Sequence, residues 1–465
     1  MHLLKNIKVL GLLILSIGFQ TVTAQQINNG DRPNIIFIMA DDLGYGDLGA
    51  YGQQLIQTPN IDALANEGMM FSQAYAGGPV CTSSRSVLMT GLHNGHTVAR
   101  DNVPHYPTYL NEGDVTLAQV LKEAGYRTGG VGKWSLGDAQ TEGRATNMGF
   151  DTWTGYLNQD HAHYYYPSYL DHDDRKILLP DNPILRNNYS HDVLTNATLN
   201  FIRENSKNPF FFYSAYTLPH FSALEEDEHG VTVPSTYPYT DKDWPEAAKK
   251  YAAMIYRLDK DVGKIVKLID ELGIRENTLI IFTSDNGGHS NTWKGFKTNG
   301  QLKGYKRDMY EGGIRVPFIA SWPGVIPAGQ QSDALIGFQD MLPTFAGLAN
   351  APIPENIDGI SVVDALKGKV LTENNRVLYW DFGHTRQRYD QAVRIGNWKG
   401  IRRGKGQAIE IYDLARDISE QHNLANDHPE LVKKIDRLME TMVIPSPRYP
   451  VGEVYKGGPI WKKDW

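Results

Sequence analysis

Several stretches of the chain are apolar without alternation, which is typical of strands buried on both faces of a parallel sheet. The first, residues 33–39, is continuously apolar, and further strands are predicted at residues 126–132, 209–215, 277–284 and 314–320. Between them, apolar residues recur at helical spacing over residues 112–124, 196–204 and 246–272. Strands that alternate with helices predict an α/β fold with a large, mostly parallel mixed sheet flanked by helices. In such sheets, functional side chains lie where the strands end.

The pattern changes after about residue 373. Short strand-like runs separated by turns occupy residues 376–380, 391–395, 398–402 and 409–412. A helical segment, residues 428–442, follows them. We therefore predict a catalytic domain over residues 25–372 and a smaller subdomain, an antiparallel sheet plus a helix, over residues 373–465.

The first 24 residues have the pattern of a signal peptide. Lys5 and Lys8 give a positive start, residues 9–19 are apolar, and Val22-Thr23-Ala24 offers small residues for cleavage. The apolar run is too short to span a bilayer, and no later segment is apolar enough to do so. We therefore expect an exported protein, periplasmic or secreted, with no membrane insertion.

The composition argues against one class of partner. The chain carries 46 basic and 53 acidic residues, a net charge of −7, and loss of Lys5 and Lys8 would make it more negative. This balance argues against nucleic acid, although a local basic pocket can still bind an anionic small substrate. Because Cys81 is the only cysteine, the protein has no internal disulfide, and a large core must supply its stability.

Two polar pairs follow predicted strands. Asp41 and Asp42 come after the first strand, and Asp285 and Asn286 follow the strand at residues 277–284. If these strands are adjacent and parallel, the pairs meet, and their carboxylates would raise each other's pKa unless a cation were bound. Hard oxygen donors suit Ca²⁺, or Mg²⁺, rather than zinc. The alternative is that each pair only caps the helix that follows it.

Cys81 lies where a Gly-Gly-Pro turn, residues 77–79, meets a segment with apolar residues at helical spacing. A helix N-terminus offers free N–H groups and the positive end of the helix dipole, which suits a reacting anion. A lone cysteine can instead be a buried small hydrophobe. The surroundings of Cys81 favour a free nucleophile or the substrate of a modification.

Basic side chains are predicted at the same edge of the sheet. Arg85 lies one helical turn after Cys81, and Lys133, His220 and Lys306 lie in loops that follow predicted strands. Singly, each lysine is more often a solvated surface charge. Together with a cation, these side chains would provide what a tetrahedral oxyanion ester needs.

These motifs, in this order, resemble the type I sulfatases, the formylglycine-dependent members of the alkaline phosphatase-like superfamily. The resemblance runs from about residue 31 to residue 330. It rests on segments 34–42, 81–91, 132–134, 219–220, 284–287 and 310–313. The motifs Cys81-Thr82-Ser83-Ser84-Arg85 and Asp285-Asn286-Gly287 are specific, whereas Pro219-His220 alone would be weak.

The resemblance implies an alkaline phosphatase-like fold and a sulfatase mechanism. A separate formylglycine-generating maturation enzyme would oxidise Cys81 to Cα-formylglycine, whose aldehyde hydrate would be the nucleophile. The ligands of a Ca²⁺ ion that polarises the sulfate would be Asp41, Asp42, Asp285 and Asn286. Arg85 would orient the hydrate, and Lys133 and Lys306 would bind sulfate oxygens. His220, together with Lys306, would protonate the leaving alcohol.

Two positions depart from the family pattern. Ser83 stands where the family usually has Pro or Ala, and Ser135 replaces the histidine of Gly-Lys-Trp-His, which assists sulfate release. Serine is a poor base near neutral pH, so we expect His161 or His163 to compensate. Both lie in a tyrosine-rich segment, which is interpreted as a substrate wall. The alternative is a packed loop in which both histidines are hydrogen-bonded.

The expected substrate is a sulfated carbohydrate. Export, an acidic chain and aromatic residues near the predicted site favour a sugar over a steroid or a lipid. A galactose- or N-acetylgalactosamine-type sulfate is preferred, from a loose resemblance to exported bacterial glycan sulfatases. His384 and Arg386 lie in segment 380–391, which is either a subsite for sugar hydroxyls or a solvated loop.

Three other functions remain open on the sequence. A phosphodiesterase or phosphonate hydrolase can share the metal and the nucleophile. A homologue weakened at Ser83 and Ser135 could bind glycans without hydrolysing them. A purely structural exported domain would leave the clustered charges unexplained.

Overall fold

The structure, a computed structural model, describes residues 32–102, 108–223, 230–371 and 376–453. The predicted signal peptide, residues 1–24, lies outside the described residues, and so does the predicted boundary between residues 372 and 373. No helix within the described ranges is long and apolar enough to cross a bilayer.

The described part of the chain contains sixteen strands. In chain order they are β1 Asn34–Ala40, β2 Met69–Phe71, β3 Ala74–Tyr75, β4 Arg127–Lys133, β5 Thr152–Tyr156, β6 Tyr169–His172, β7 Arg175–Leu178, β8 Phe210–Ala215, β9 Thr278–Ser284, β10 Phe318–Ser321, β11 Gln330–Ser332, β12 Ile336–Gly337, β13 Val377–Phe382, β14 Asp390–Ile395, β15 Trp398–Arg403 and β16 Ile409–Asp413.

Helices alternate with these strands. The α-helices are α1 Pro59–Asn66, α2 Cys81–Thr90, α3 Leu117–Glu123, α4 Asn182–Leu185, α5 Ser190–Asn205, α6 Glu246–Glu271, α7 Glu311–Ile314, α8 Met341–Leu348, α9 Val363–Leu366 and α10 Pro429–Thr441. Short 3₁₀ turns occupy Gly49–Tyr51, His161–His163, Arg275–Asn277, Lys294–Phe296 and Phe338–Asp340.

Ten strands form one large mixed sheet in the order β11-β2-β10-β9-β1-β8-β4-β5-β6-β7. Its centre, β9-β1-β8-β4, is parallel throughout. Of these central strands, β1, β8 and β9 are buried along their whole length, as their unbroken apolar sequences predict. The predicted α/β class and mostly parallel sheet are confirmed.

The side chains of β1 enter two apolar layers in alternation. Phe37 packs on one face of the sheet with residues of α2, α3 and α8. Ile36 and Ile38 pack on the other face with residues of α1, α5 and α6. Burying side chains of this size contributes about 1.5–3 kcal/mol each, so the central strands hold the sheet edge rigidly in place.

Three predicted elements differ from the structure. The helix predicted at residues 196–204 is longer and begins at Ser190. The strand predicted at residues 314–320 is shorter, because the one-turn helix α7 comes first and Arg315 folds back onto Glu311, with Nη1 3.0 Å from Oε2. The helix predicted at residues 112–124 begins only at Leu117. Thr116 caps it reciprocally with Gln119, which fixes its start.

The C-terminal part is a four-stranded antiparallel sheet in the order β13-β14-β15-β16. Helix α10 covers one face, where Ile435 and Met439 are fully buried. The other face packs on the body of the protein, and Trp380 Nε1 donates to the carbonyl of Ala76 at 2.9 Å. The predicted small sheet with a terminal helix is confirmed.

Candidate active site

The two polar pairs meet where β1 and β9 end. These strands are neighbours with Ala40 opposite Ser284, so the residues that follow are brought side by side. The backbone N–H of Asp42 donates to Asp285 Oδ1 at 3.2 Å, and Asn286 Nδ2 donates to Asp42 Oδ1 at 2.8 Å. All four side chains of the pairs are fully buried. The pairs therefore form one cluster.

Cys81 begins α2 and points at this cluster. Its Sγ lies 3.2 Å from Asp41 Oδ1 and 3.5 Å from Lys306 Nζ. Burial, together with Asp285 and Asp41, raises the pKa of the Cys81 thiol to about 12. The unmodified side chain is therefore a protonated thiol near neutral pH and a weak nucleophile.

Arg85 joins α2 to two strand ends. Its guanidinium donates from Nη2 and Nε to Asp285 Oδ2, at 2.7 and 3.2 Å, and to the carbonyl of Lys133. Ser83, at the variant motif position, is buried, and its hydroxyl donates to the carbonyl of Val80 at 3.1 Å. The helix that carries Cys81 is thus locked against the sheet edge.

Two lysines neutralise the carboxylates. Lys133 Nζ, at the end of β4, lies 2.7 Å from Asp41 Oδ2. Lys306 Nζ lies 2.7 Å from Asp42 Oδ1 and 3.2 Å from His220 Nε2. Burial alone would lower the pKa of Lys306, but Asp42 and Cys81 raise it. Burial and Lys306 together hold the pKa of His220 well below its usual range, so a neutral imidazole faces an ammonium.

The pKa values of Asp41 and Asp285 shift in opposite directions, although burial acts on both carboxylates in the same way. Burial would raise the pKa of Asp41, but Lys133, His220 and Arg85 outweigh it and hold that pKa well below its usual range. Burial and the neighbouring Asp41 raise the pKa of Asp285 to about 6, despite Arg85. Carboxylates this close favour an additional cation.

The donor set fits a hard divalent cation. The carboxylates of Asp41 and Asp42 belong to a group, with Cys81 and His220, whose ligand atoms lie within 4.8 Å of one another. The oxygens of Asp285 and Asn286 are brought to the same place by the contacts with Asp42. Asn286 Oδ1 is buried and has no hydrogen-bond partner among the described residues. An orphaned amide oxygen beside carboxylates is what Ca²⁺ or Mg²⁺ would satisfy.

Three of the predicted substrate residues are engaged within the fold. His161 is fully buried between Tyr156 and Tyr169, with ring centroids 5.0 and 4.4 Å away. His384 is also fully buried, with Nε2 3.1 Å from Asp381 Oδ2. Arg386 pairs with Asp101, Nη2 to Oδ1, at 2.8 Å. None of these contacts places them among the charged groups around Cys81.

His163 and His289 do lie beside the site. The ring of His163 is 4.8 Å from that of His220. The sequence analysis missed His289, whose signal was its position directly after the Asp285–Gly288 motif. The backbone N–H of Lys306 donates to the carbonyl of Gly288, directly before His289, at 3.0 Å. Burial and Lys306 lower the pKa of His289 despite Asp42.

Comparisons with known proteins agree with this geometry. The "Sulfatase" family model matches residues 33–351. The model "N-sulphoglucosamine sulphohydrolase, C-terminal" matches residues 303–444. An N-acetylgalactosamine-6-O-sulfatase of Bacteroides thetaiotaomicron is 29% identical, over 93% of this chain and 97% of its own length. The N-acetylgalactosamine-6-sulfatase of Canis lupus familiaris is 34% identical, over 79% of this chain and 71% of its own length.

Solved structures show the same architecture. Ps i-CgsB, crystallised in complex with k-i-k-neocarrahexaose, superposes with a TM-score of 0.76 at 31% identity, covering 88% of this chain and 92% of that one. A phosphonate monoester hydrolase of Agrobacterium radiobacter shares the fold alone, with a TM-score of 0.65 at 20% identity. The chain belongs to the sulfatase family and is a sulfuric ester hydrolase.

Proposed function

We propose that this protein removes sulfate from a sulfated carbohydrate, with Cys81 converted to Cα-formylglycine and a Ca²⁺ ion bound beside it. The observation that carries the proposal is the position of Cys81 Sγ, in contact with both Asp41 and Lys306. A side chain there meets a cation site on one side and a sulfate-binding ammonium on the other.

The proposed modification accounts for a cysteine that is poorly suited to act unmodified. Its thiol, with a pKa raised to about 12 by burial and the neighbouring carboxylates, would not ionise at working pH. A formylglycine hydrate would supply two geminal hydroxyls, one to attack sulfur and one to expel sulfate, so that no water has to attack the sulfate. A maturation enzyme would be a required partner, and export by the predicted signal peptide is part of the same proposal.

Four side chains would hold the cation: Asp41, Asp42, Asp285 and Asn286. A bound Ca²⁺ would supply positive charge that polarises a sulfate oxygen and lowers the pKa of the attacking hydroxyl. The chain's own part is to keep these oxygens in place through Arg85, which is tied to Asp285. With the cation bound to Asp41 and Asp42, Lys133 and Lys306 would no longer pair with those carboxylates. The two lysines would then bind the sulfate oxygens.

The leaving alcohol needs a proton, and Lys306 with His220 would supply it. Lys306 Nζ lies 3.2 Å from His220 Nε2 and donates to a neutral imidazole. The ammonium of Lys306 would therefore carry the proton that passes to the departing oxygen, and His220 Nε2 would hold that ammonium in position. Because its pKa is lowered, the imidazole of His220 alone would be deprotonated and could not act as the acid.

The substrate class comes from the relatives. N-acetylgalactosamine-6-sulfatases are among the most similar curated proteins, and one of them aligns over 93% of this chain. A steryl-sulfatase of Homo sapiens is also 32% identical, so family membership does not choose the sugar by itself. We take N-acetylgalactosamine 6-sulfate as the first substrate to test.

The test is sulfate release, followed by ion chromatography, from N-acetylgalactosamine 6-sulfate by protein co-expressed with a formylglycine-generating enzyme. We expect turnover that is lost in Cys81→Ala and lost on removal of divalent ions with a chelator, then restored by Ca²⁺. Faster hydrolysis of a phosphate diester or phosphonate ester would instead favour the phosphonate hydrolase alternative. Binding of the sulfated sugar without release would favour a glycan-binding protein.

A further inference from the structure

Two imidazoles that the proposed mechanism leaves unused pack beside His220 and beside the residue that follows it, Phe221. The ring of His163 packs edge-on to that of His220, with centroids 4.8 Å apart. The ring of His289 lies 5.1 Å from that of Phe221, the residue that follows His220. Both histidines are partly exposed, whereas His220 is buried. They are therefore more accessible to solvent than His220 is.

The backbone holds both rings in the same hydrogen-bonding state. The N–H of Ala223 donates to Nδ1 of His163 at 3.0 Å. The N–H of Asn291 donates to Nδ1 of His289 at 3.1 Å. A neutral imidazole carries one N–H, so a nitrogen that accepts a hydrogen bond places the proton on the other. Each histidine thus presents Nε2–H as a donor.

The electrostatic surroundings keep these donors uncharged. Burial, with Lys133 and Lys306, lowers the pKa of His163 to about 3. Burial and Lys306 also lower the pKa of His289, despite Asp42. Nδ1 of His163 already accepts a hydrogen bond, and Nε2 carries the proton. His163 therefore has no free nitrogen with which to act as a base in place of Ser135. A neutral N–H donor recognises a neutral acceptor oxygen without adding positive charge beside the lysines.

We propose that His163 and His289 are specificity-determining residues, which donate Nε2–H to uncharged oxygens of the sugar that carries the sulfate. Hydroxyl, ring and acetamido oxygens are the acceptors of this class. The inference rests on the proposed function, since it assigns the leaving-group side of the same site. It places sugar recognition at these two histidines rather than at His161, His384 and Arg386, whose contacts lie within the fold.

The experiment compares kcat/KM on two substrates. N-acetylgalactosamine 6-sulfate offers the sugar oxygens, and 4-nitrophenyl sulfate does not. The variants are His163→Met and His289→Met, singly and together, with His163→Gln and His289→Gln, whose amide N–H can replace Nε2–H. His422→Met is the matched control, because that side chain is 78% exposed and pairs with Asp417, which is not a site residue. Melting temperatures check that each variant folds.

On the sugar sulfate, each Met variant is expected to lose about 3- to 10-fold in kcat/KM and the double variant about 10- to 100-fold. On 4-nitrophenyl sulfate, all should stay within about twofold, and the Gln variants should recover most of the loss. Equal losses on both substrates, or no loss on the sugar sulfate, would overturn the inference.

Failure of the proposed function gives a different result. If the wild-type protein releases sulfate from neither ester, the inference is tested by calorimetry, which measures the Kd for the sulfated sugar. A Kd weakened about tenfold in the double Met variant would support it. An unchanged Kd, or no measurable binding to the wild-type protein, would overturn it.

Discussion

At the scale of single residues, charge pairing decides where each site residue lies. Arg85 is fully buried, and its guanidinium is committed to Asp285 and to the Lys133 carbonyl. A buried charge that loses its partner keeps the cost of desolvation. The charged residues around Cys81 therefore contribute to the stability of the fold as well as forming the candidate active site.

Replacement of Arg85 by Met is expected to lower the free energy of unfolding by about 3–5 kcal/mol, because Asp285 would be left buried without its main partner. Denaturant unfolding, followed by circular dichroism, measures the change. Arg416→Met is the control, since Arg416 is 89% exposed and its pair with Asp413 is 3.6 Å long. A loss of the same size in both variants would contradict this account.

Sequence alone located the residues whose types and positions are informative together. Asp41 and Asp285 directly follow predicted strands, so the adjacency of those two strands is enough to bring them together. Cys81 was located by the Gly-Gly-Pro turn before it and the helical spacing after it. Sequence alone could not distinguish His161 from His163, which are two residues apart in one short turn. Burial separates them, and burial depends on which tyrosines pack around that turn.

At the scale of elements, the central strands were predictable and the edge strands were not. A strand buried on both faces has an apolar sequence that no surface segment shares, as in β1 and β9. By contrast, the two edge strands, β7 and β11, are short and mostly exposed. Short, half-exposed strands are specified by their neighbours rather than by their own residues.

A buried acidic contact joins helices α5 and α6. Asp261 Oδ2 lies 2.8 Å from His191 Nε2, and Oδ1 lies 2.7 Å from Lys264 Nζ. Burial would raise the pKa of Asp261, but His191 and Lys264 lower it to about 2. The pKa of Asp261 is thus about 2 in the folded protein and about 4 in the unfolded chain. The ionised carboxylate therefore stabilises the folded protein above about pH 4, and this stabilisation is lost as the pH falls toward 2.

We expect Asp261→Asn to be less stable than the wild-type protein by about 2 kcal/mol at pH 6. The difference should shrink as pH falls from about 4 toward 2, because the wild-type carboxylate then becomes protonated. Urea unfolding at pH 6, 4 and 3 measures it. A difference that stays constant over this range would show that the contact is not ionic.

At the scale of the whole molecule, the C-terminal sheet supports the loop that carries Lys306. Lys399 on β15 is fully buried, with Nζ 2.9 Å from both Glu311 Oε1 and Glu420 Oε1. The same loop is tied again where Lys303 Nζ donates to the Glu420 carbonyl at 2.9 Å. The small sheet is therefore part of the active-site architecture.

Replacement of Lys399 by Met is expected to destabilise the protein by about 3–5 kcal/mol, because two carboxylates would lose their shared cation. It should also lower kcat through displacement of Lys306.

Glu420→Gln is the matched control: burial and Glu311 raise the pKa of Glu420 to about 7 despite Lys399. Because glutamine resembles the neutral form of Glu420, this substitution should lower the free energy of unfolding by only about 1 kcal/mol. Thermal unfolding and sulfate release report the two effects, and wild-type kcat in Lys399→Met would contradict the coupling.

The chemical state of residue 81 tests the account most directly. We expect the tryptic peptide that contains this residue, from protein active on sulfate esters, to be about 18 Da lighter than the cysteine form. Mass spectrometry of that peptide, with and without the maturation enzyme, should show the lighter form rising in proportion to activity. Full sulfatase activity with an unmodified thiol at Cys81 would contradict the account.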